Sequence, residues 1–226
     1  GAGETSDRMY ELVGTTGNGT INSNGSGPLV LTGDVISDAT GTSQFILSGT
    51  NAGNNIFSGE IQENTGSGVT AFTKSGTGLW ILPRENGFLG TSTISGGTLR
   101  MEADGALGQG TSLVISGTST KLLLAPTVGN ISISQAITIS NNSISTGAIE
   151  SANGDNVLAG TITVSGSATT RYQANTGATL TYSGIPSFAQ GTQTLVFQGA
   201  GNHTIPLESN ITGTSGALTK EGSGTL

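Results

Sequence analysis

Residues 68–108, GVTAFTKSGTGLWILPRENGFLGTSTISGGTLRMEADGALG, hold the pattern that the rest of the chain repeats with variations. A short apolar-alternating run (Val69, Ala71) leads into a basic glycine turn, Lys74-Ser75-Gly76-Thr77-Gly78. A strand-like run follows, Leu79 to Leu82, then a polar loop, then Thr93-Ile94-Ser95-Gly96-Gly97-Thr98-Leu99-Arg100-Met101. Versions of the turn recur at Gly25-Ser26-Gly27-Pro28-Leu29 and at Lys220-Glu221-Gly222-Ser223-Gly224-Thr225-Leu226, the latter read in register with Lys74. From Gly25 to Gly76 is 51 residues and from Gly76 to Gly222 is 146, close to two and six units of about 25 residues. A period in that range is the signature of stacked supersecondary units.

A second signature is an apolar residue followed by Ser-Gly: Leu47-Ser48-Gly49, Phe57-Ser58-Gly59, Ile94-Ser95-Gly96, Ile115-Ser116-Gly117, Val164-Ser165-Gly166 and Tyr182-Ser183-Gly184. Each marks a strand end, because glycine tolerates the backbone angles of a tight corner. Alternation is clearest at Ile131-Ser132-Ile133-Ser134-Gln135-Ala136-Ile137-Thr138-Ile139, where the isoleucines fall on one face of an extended chain. Sustained helical periodicity is absent, and Gly, Ser, Thr and Asn are weak helix formers. Two-residue hairpin signals are few (Asn18-Gly19, Asn24-Gly25, Asn86-Gly87, Asn153-Gly154), which disfavours a hairpin-built sandwich or barrel.

The order turn, strand, loop, strand in residues 68–108 resembles the autotransporter-associated β-strand repeat, in which a T-K-x-G-x-G-x-L turn precedes a strand, a loop and an x-x-x-G-G-T-L strand. The loop at Pro83 to Gly90 departs from the usual run of that repeat. The resemblance is close over residues 60–110 and looser elsewhere. It implies a passenger-type region of a large bacterial surface protein, folded as a right-handed parallel β-helix (β-solenoid). Together with the spacing it predicts one continuous segment over residues 1–226, about 20–25 residues per coil, roughly nine coils and a rod of about 45 Å. Because Lys220 to Leu226 matches only the opening half of the unit, the expectation is a piece of a longer repeat protein.

Composition narrows the function classes. Thirty-eight glycines and only 9% charged residues are far from the average soluble domain, where about a quarter are charged. The β-branched content and low charge argue against disorder. A net charge of −7 with seven scattered Lys and Arg offers no footprint for nucleic acid. Zero cysteines excludes disulfides, thiolate zinc sites and a cysteine nucleophile. No run approaches the roughly 18 apolar residues of a membrane helix.

Candidate chemistry is sparse. A glycosidase needs two carboxylates about 5–10 Å apart, and the nearest candidates are Glu102 with Asp104, Asp34 with Asp38, and Glu60 with Glu63. All sit beside glycines or loops and read as solvated turn acids. His203 is the one histidine, in Gly201-Asn202-His203-Thr204, and reads as a solvent-exposed loop residue; no G-x-S-x-G elbow accompanies it. Asp155 stands without the repeated glycine-aspartate array of a calcium solenoid. The Thr-x-Thr pairs at Thr91/Thr93, Thr118/Thr120, Thr161/Thr163, Thr179/Thr181 and Thr192/Thr194 are spaced 27, 43, 18 and 13 residues apart, which suggests no common register. Sequons such as Asn130-Ile131-Ser132 and Asn210-Ile211-Thr212 are expected by chance in so Asn- and Thr-rich a chain. Phe45, Phe57, Phe72, Trp80, Phe88, Phe188 and Phe197 read as core or corner packing.

The sequence therefore predicts a structural or adhesive shaft with no catalytic residue, cofactor or metal site. Its expected setting is the outer surface of a Gram-negative-type bacterium, anchored by a region outside this segment. The expected partners are neighbouring coils or copies stacked end to end, and surface glycans or cell surfaces. A β-helical polysaccharide lyase or glycosidase is the alternative.

Overall fold

A computed structural model describes residues 2–166, 169–183, 193–205 and 216–226. Phe188, Gly184, Thr192 and the sequon at Asn210 lie outside the described residues. Among the described residues there is no helix, and every strand pair is parallel. Parallel neighbours with no helical crossover require the chain to wind, each turn hydrogen bonding to the turns above and below. The result is a parallel β-solenoid, as the repeat implied.

Three faces define each coil. One is a ten-stranded sheet running from Glu4–Ser6 to Ala217–Lys220, here called the long sheet. The second is a seven-stranded sheet from Asn18–Ser23 to Ile162–Ser165. The third face is discontinuous: Tyr10–Leu12 pairs with Val35–Ser37 near one end, and a four-stranded sheet from Ser132–Ile133 to Asn202–Thr204 occupies the other. Between them isolated backbone bonds such as Gly87 N to Ile61 O (3.0 Å) are supplemented by side chains, with Ile61 N donating to Asn86 Oδ1 (2.8 Å) and Asn86 Nδ2 donating to Ala106 O (2.8 Å).

Register along the long sheet gives the coil lengths. Glu4 faces Leu29, a step of 25; Leu79 faces Thr98, a step of 19; Leu122 faces Ile149, a step of 27. Variation from 19 to 27 residues is absorbed at the corners, so the strands keep register while the loops between them change length.

The interior is built of columns. On the long sheet one core-facing column runs from Glu4 through Leu29, Asn55, Trp80, Leu99, Leu122, Ile149, Tyr172 and Phe197 to Lys220. From Trp80 to Phe197 its members are fully buried. At about 1.5–3 kcal/mol for each large apolar side chain, such columns supply the main favourable term of the fold. Tyr172, Tyr182, Phe197 and His203 form an aromatic cluster inside the last coils, with ring centroids 5.4–6.1 Å apart. The described phenylalanines and Trp80 are core residues.

Buried asparagines stitch coil to coil. Asn55 is fully buried; its Oδ1 accepts from Ser23 Oγ (2.7 Å) and Leu29 N (3.0 Å) one coil below, and its Nδ2 donates to Leu79 O (2.8 Å) one coil above. Asn156 makes the lower half of this device, accepting from Ile131 N at 2.8 Å, while its Nδ2 donates within its own coil to Ser151 Oγ (2.9 Å) and Asn153 O (2.8 Å). A corner cannot continue the strand ladder, and an amide that both donates and accepts satisfies the backbone groups stranded there.

Two sequence readings change. The isoleucine run is two strands around a corner: Ile133 closes Ser132–Ile133 on the third face, while Ile137 and Ile139 lie in Ala136–Ser140 of the second sheet. Gln135 makes that corner, with Nε2 donating to Gly108 O (3.0 Å). Lys74 and Lys220 are likewise not equivalent. Lys74 ends the second-sheet strand Thr70–Lys74, and Lys220 ends the long-sheet strand Ala217–Lys220. Both fold the same turn: each Nζ donates to the next two carbonyls, Ser75 O and Gly76 O (2.7 and 3.0 Å) or Glu221 O and Gly222 O (2.8 and 3.2 Å). Gly76 and Gly222 sit at φ +67° and +79°, which only glycine adopts freely. The motif specifies a turn, and the turn serves at either corner.

Candidate functional site

The candidate acids are dispersed, and most of them hold coils together. Asp34 Oδ1 accepts Glu60 N (2.8 Å) and its Oδ2 accepts Gln62 Nε2 (3.2 Å) from the next coil, while Asp38 is exposed. Glu63 accepts Thr70 N (3.1 Å) and Leu89 N (2.5 Å). Glu60 meets Arg84 at 3.4 Å. Glu102 pairs with Arg100 at 2.8 Å, and Asp104 Oδ1 accepts Ser132 N at 2.9 Å. Asp155 is exposed, and its own N donates to Asn130 Oδ1 (2.8 Å). Among the described residues no group of three or more His, Asp or Glu side chains could hold a metal ion.

His203 is not the exposed loop residue that its Gly-Asn context suggested. It lies in Asn202–Thr204 with 3% of its surface accessible. Nε2 stands 3.0 Å from Gln198 O, an atom that can only accept, so Nε2 carries the proton. Nδ1 then accepts from Tyr182 Oη at 3.1 Å. Burial lowers the imidazole pKa below its ordinary value; the bond to Gln198 opposes that, and the nearby Lys220 charge adds to it. The ring is a neutral core residue.

The outer face of the second sheet carries columns of side chains set by strand register. Register carries one column through Thr20, Ile46, Thr73, Thr93, Val114, Thr138 and Thr163, every member β-branched. Beside it runs Asn22 and Ser48, continued by Ser75, Ser95, Ser116, Ser140 and Ser165. Neither column holds a charged side chain. Irregular spacing in sequence hid the threonine column: Thr93 and Thr163 share it because unequal corner loops restore register. Part of the serine column had a visible signal: Ser48, Ser95, Ser116 and Ser165 belong to the apolar-Ser-Gly signature, whereas Ser58 and Ser183 of that signature follow strands on the other two faces. The long sheet differs, presenting a polar network in which Glu150 binds Lys121 and accepts Asn175 Nδ2 (2.9 Å), and Gln198 Nε2 donates to Gln173 Oε1 (2.8 Å).

A parallel solenoid with dispersed acids and one uncharged face of hydroxyl and β-branched side chains has the character of a surface-bearing rod. Over 118 residues, 51% of its length, the chain is 35% identical to the adhesin BmaC autotransporter of Brucella suis biovar 1 (strain 1330). The matched stretch is 3% of that protein, so this chain spans a small part of the length of its relative. No protein-family model matches the chain, and no solved structure matches it. The similarity and the fold agree with the passenger-type region that the repeat resemblance implied.

Proposed function

We propose that the chain is a non-catalytic shaft segment of an adhesive protein displayed outside a Gram-negative-type cell and anchored through a region beyond these residues. The observation that carries this reading is the likeness to an autotransporter adhesin in a chain whose fold is a continuous stack of coils. The contact surface is the outer face of the second sheet. Its hydroxyl and methyl columns offer hydrogen bonds and apolar contact without charge, which suits uncharged glycans on a cell surface. The acids support the non-catalytic part of the reading, because Asp34, Glu63 and Asp104 are engaged with backbone N–H groups of adjoining coils.

Glycan-array binding of the purified chain, compared with a Thr93→Lys/Thr138→Lys variant of unchanged circular dichroism, tests the surface. Binding lost in the variant supports it, and binding retained assigns adhesion elsewhere. Polysaccharide cleavage by the parent chain, lost in Glu102→Ala/Asp104→Ala, would overturn the non-catalytic reading.

A further inference from the structure

The third face leaves a hollow in mid-rod, where its four-stranded sheet begins. After the long-sheet strand Thr98–Met101 the chain makes a tight turn, closed by Gly108 N donating to Gly105 O (2.9 Å), with Ala106 and Leu107 drawn into the core. One coil further on, the same face carries the extended strand Ser132–Ile133, whose backbone pairs with Asp155–Leu158 of the coil beyond. A turn and a strand cannot share a ladder, so the strand overhangs the turn. Two side chains span the gap: Asp104 Oδ1 accepts Ser132 N (2.9 Å), and Gln135 Nε2 donates to Gly108 O (3.0 Å). Between them lies an open cavity of about 250 Å³.

Its lining matches a sugar ring. The floor is apolar, with Leu107 and Ile133 each 1% exposed. The rim is polar and exposed, and there the second oxygen of Asp104, the Gln109 amide and the hydroxyls of Ser132 and Ser134 make no hydrogen bond among the described residues. The carboxylate accepts only, while the amide and the hydroxyls both donate and accept. A pyranose is complementary, with C–H groups on its faces and hydroxyls around its edge. Because Ser132 N already holds Asp104, the free oxygen is oriented before a ligand arrives, which cuts the ordering cost of binding. No Lys or Arg lines the cavity, so an acidic sugar would meet only the charge of Asp104. Clefts for larger organic ligands run to about 300–1,000 Å³, and this smaller one limits its occupant to a single ring.

We propose that this hollow is a binding subsite for one uncharged pyranose ring, distinct from the hydroxyl face of the second sheet. The ring rests a C–H face on Leu107 and Ile133, Asp104 accepts from one of its hydroxyls, and Gln109 bonds a neighbouring one. Gln109 and Gln135 lie just before the second-sheet strands Ser112–Ser116 and Ala136–Ser140, so the hollow opens at the corner beside that sheet. It takes a ring whether or not the second sheet binds glycan.

The test is a titration of the purified chain with methyl β-glucoside, methyl β-galactoside, methyl α-mannoside and methyl β-glucuronide, followed by backbone amide NMR. At least one neutral glycoside should shift Gly105, Gly108, Gln109 and residues 132–135 together. Asp104→Asn keeps an acceptor for Ser132 N and should weaken that binding about tenfold or more, because a charged acceptor is lost. Gln109→Ala removes an exposed side chain that bonds nothing in the fold, and should weaken it about threefold or more. The glucuronide should bind more weakly than the best neutral glycoside, and Thr93→Lys/Thr138→Lys should leave the titration unchanged. Absence of these shifts with every neutral glycoside would overturn the proposal, as would unaltered affinity in both pocket variants or a glucuronide that binds as tightly. Binding lost in the threonine variant alone would place the sugar on the second sheet, overturning the subsite while leaving the adhesive reading intact.

Discussion

The ammonium group of Lys74 and the carbonyl oxygen of Gly96, which belong to successive coils, are 2.9 Å apart in a position closed to solvent. Lys74 stands in a core column between Leu47 and Ile94, a place otherwise held by aliphatic side chains. Its stem packs among them, and its charge is met by three backbone carbonyls with no carboxylate partner. Burial lowers its pKa to about 8 from the ordinary 10.5. Below pH 8 the group is charged in both folded and unfolded chains. Between 8 and 10.5 the unfolded chain holds more protons, so stability rises with pH, and falls again as pH drops through 8. Denaturant unfolding should show the parent gaining up to about 2 kcal/mol from pH 8 to 9.5. Lys74→Met should lose about 1–2 kcal/mol at pH 7, since three carbonyls lose a donor, and should be flat across that window. Equal slopes in both proteins would contradict this assignment.

His203 gives the opposite end of the rod an acid sensitivity. Its pKa is lowered first by burial, so the unfolded ring takes up a proton before the folded one does. The contribution of the neutral ring is complete above about pH 6.5 and is lost as pH falls through the folded value. Protonation would also set a second N–H against the Tyr182 hydroxyl hydrogen and bring a charge toward Lys220. Hydrogen exchange should show Thr194–Gln198 and Asn202–Thr204 opening at pH 5 while the strands around Trp80 stay protected. An imidazole NMR titration with a midpoint at or above 6.5 would refute the burial argument.

Asn55→Leu fills the same volume without the amide. It leaves Leu29 N–H and Leu79 C=O without their partner inside the core, a loss of about 3 kcal/mol. The effect should be local, because each coil touches only its neighbours. Exchange protection should fall in Leu29–Leu31, Asn55–Phe57 and Leu79–Leu82 and remain near Ile149. Uniform loss of protection along the chain would mean that the rod unfolds as one unit.

The fold was legible where local chemistry sets it. Glycine turns such as the one after Lys74, apolar alternation and the repeat spacing pointed to stacked coils of short strands, and the resemblance to the autotransporter-associated repeat supplied the parallel β-helix. What sequence could not give was coil-to-coil register, because coils of 19 and 27 residues differ only in their loops. The threonine column and the two different corners for Lys74 and Lys220 followed from that register. His203 was misread for a related reason. Its neighbours are loop-type residues, while the groups that bury it, Tyr182 and Gln198, come from the preceding turn of the coil and from the strand before its own. The carboxylates were correctly read as lying near turns, but their bonds to neighbouring coils join residues 25 or so apart and leave no local mark.

Register on the outer face is the claim on which the account rests, and the lack of native cysteine allows a direct measurement. Adjacent rungs place Cα atoms about 4.8 Å apart, within disulfide reach, while rungs two apart are at about 9.6 Å, beyond it. Under mild oxidation the pair Thr93→Cys/Val114→Cys, opposite each other in adjacent strands, should lose its two free thiols completely with the β-rich circular dichroism unchanged. The control Thr93→Cys/Thr138→Cys, two rungs apart, should keep both. Free thiols in the first protein, or bridging of both to the same extent, would contradict the stacked-coil arrangement and the surface built upon it.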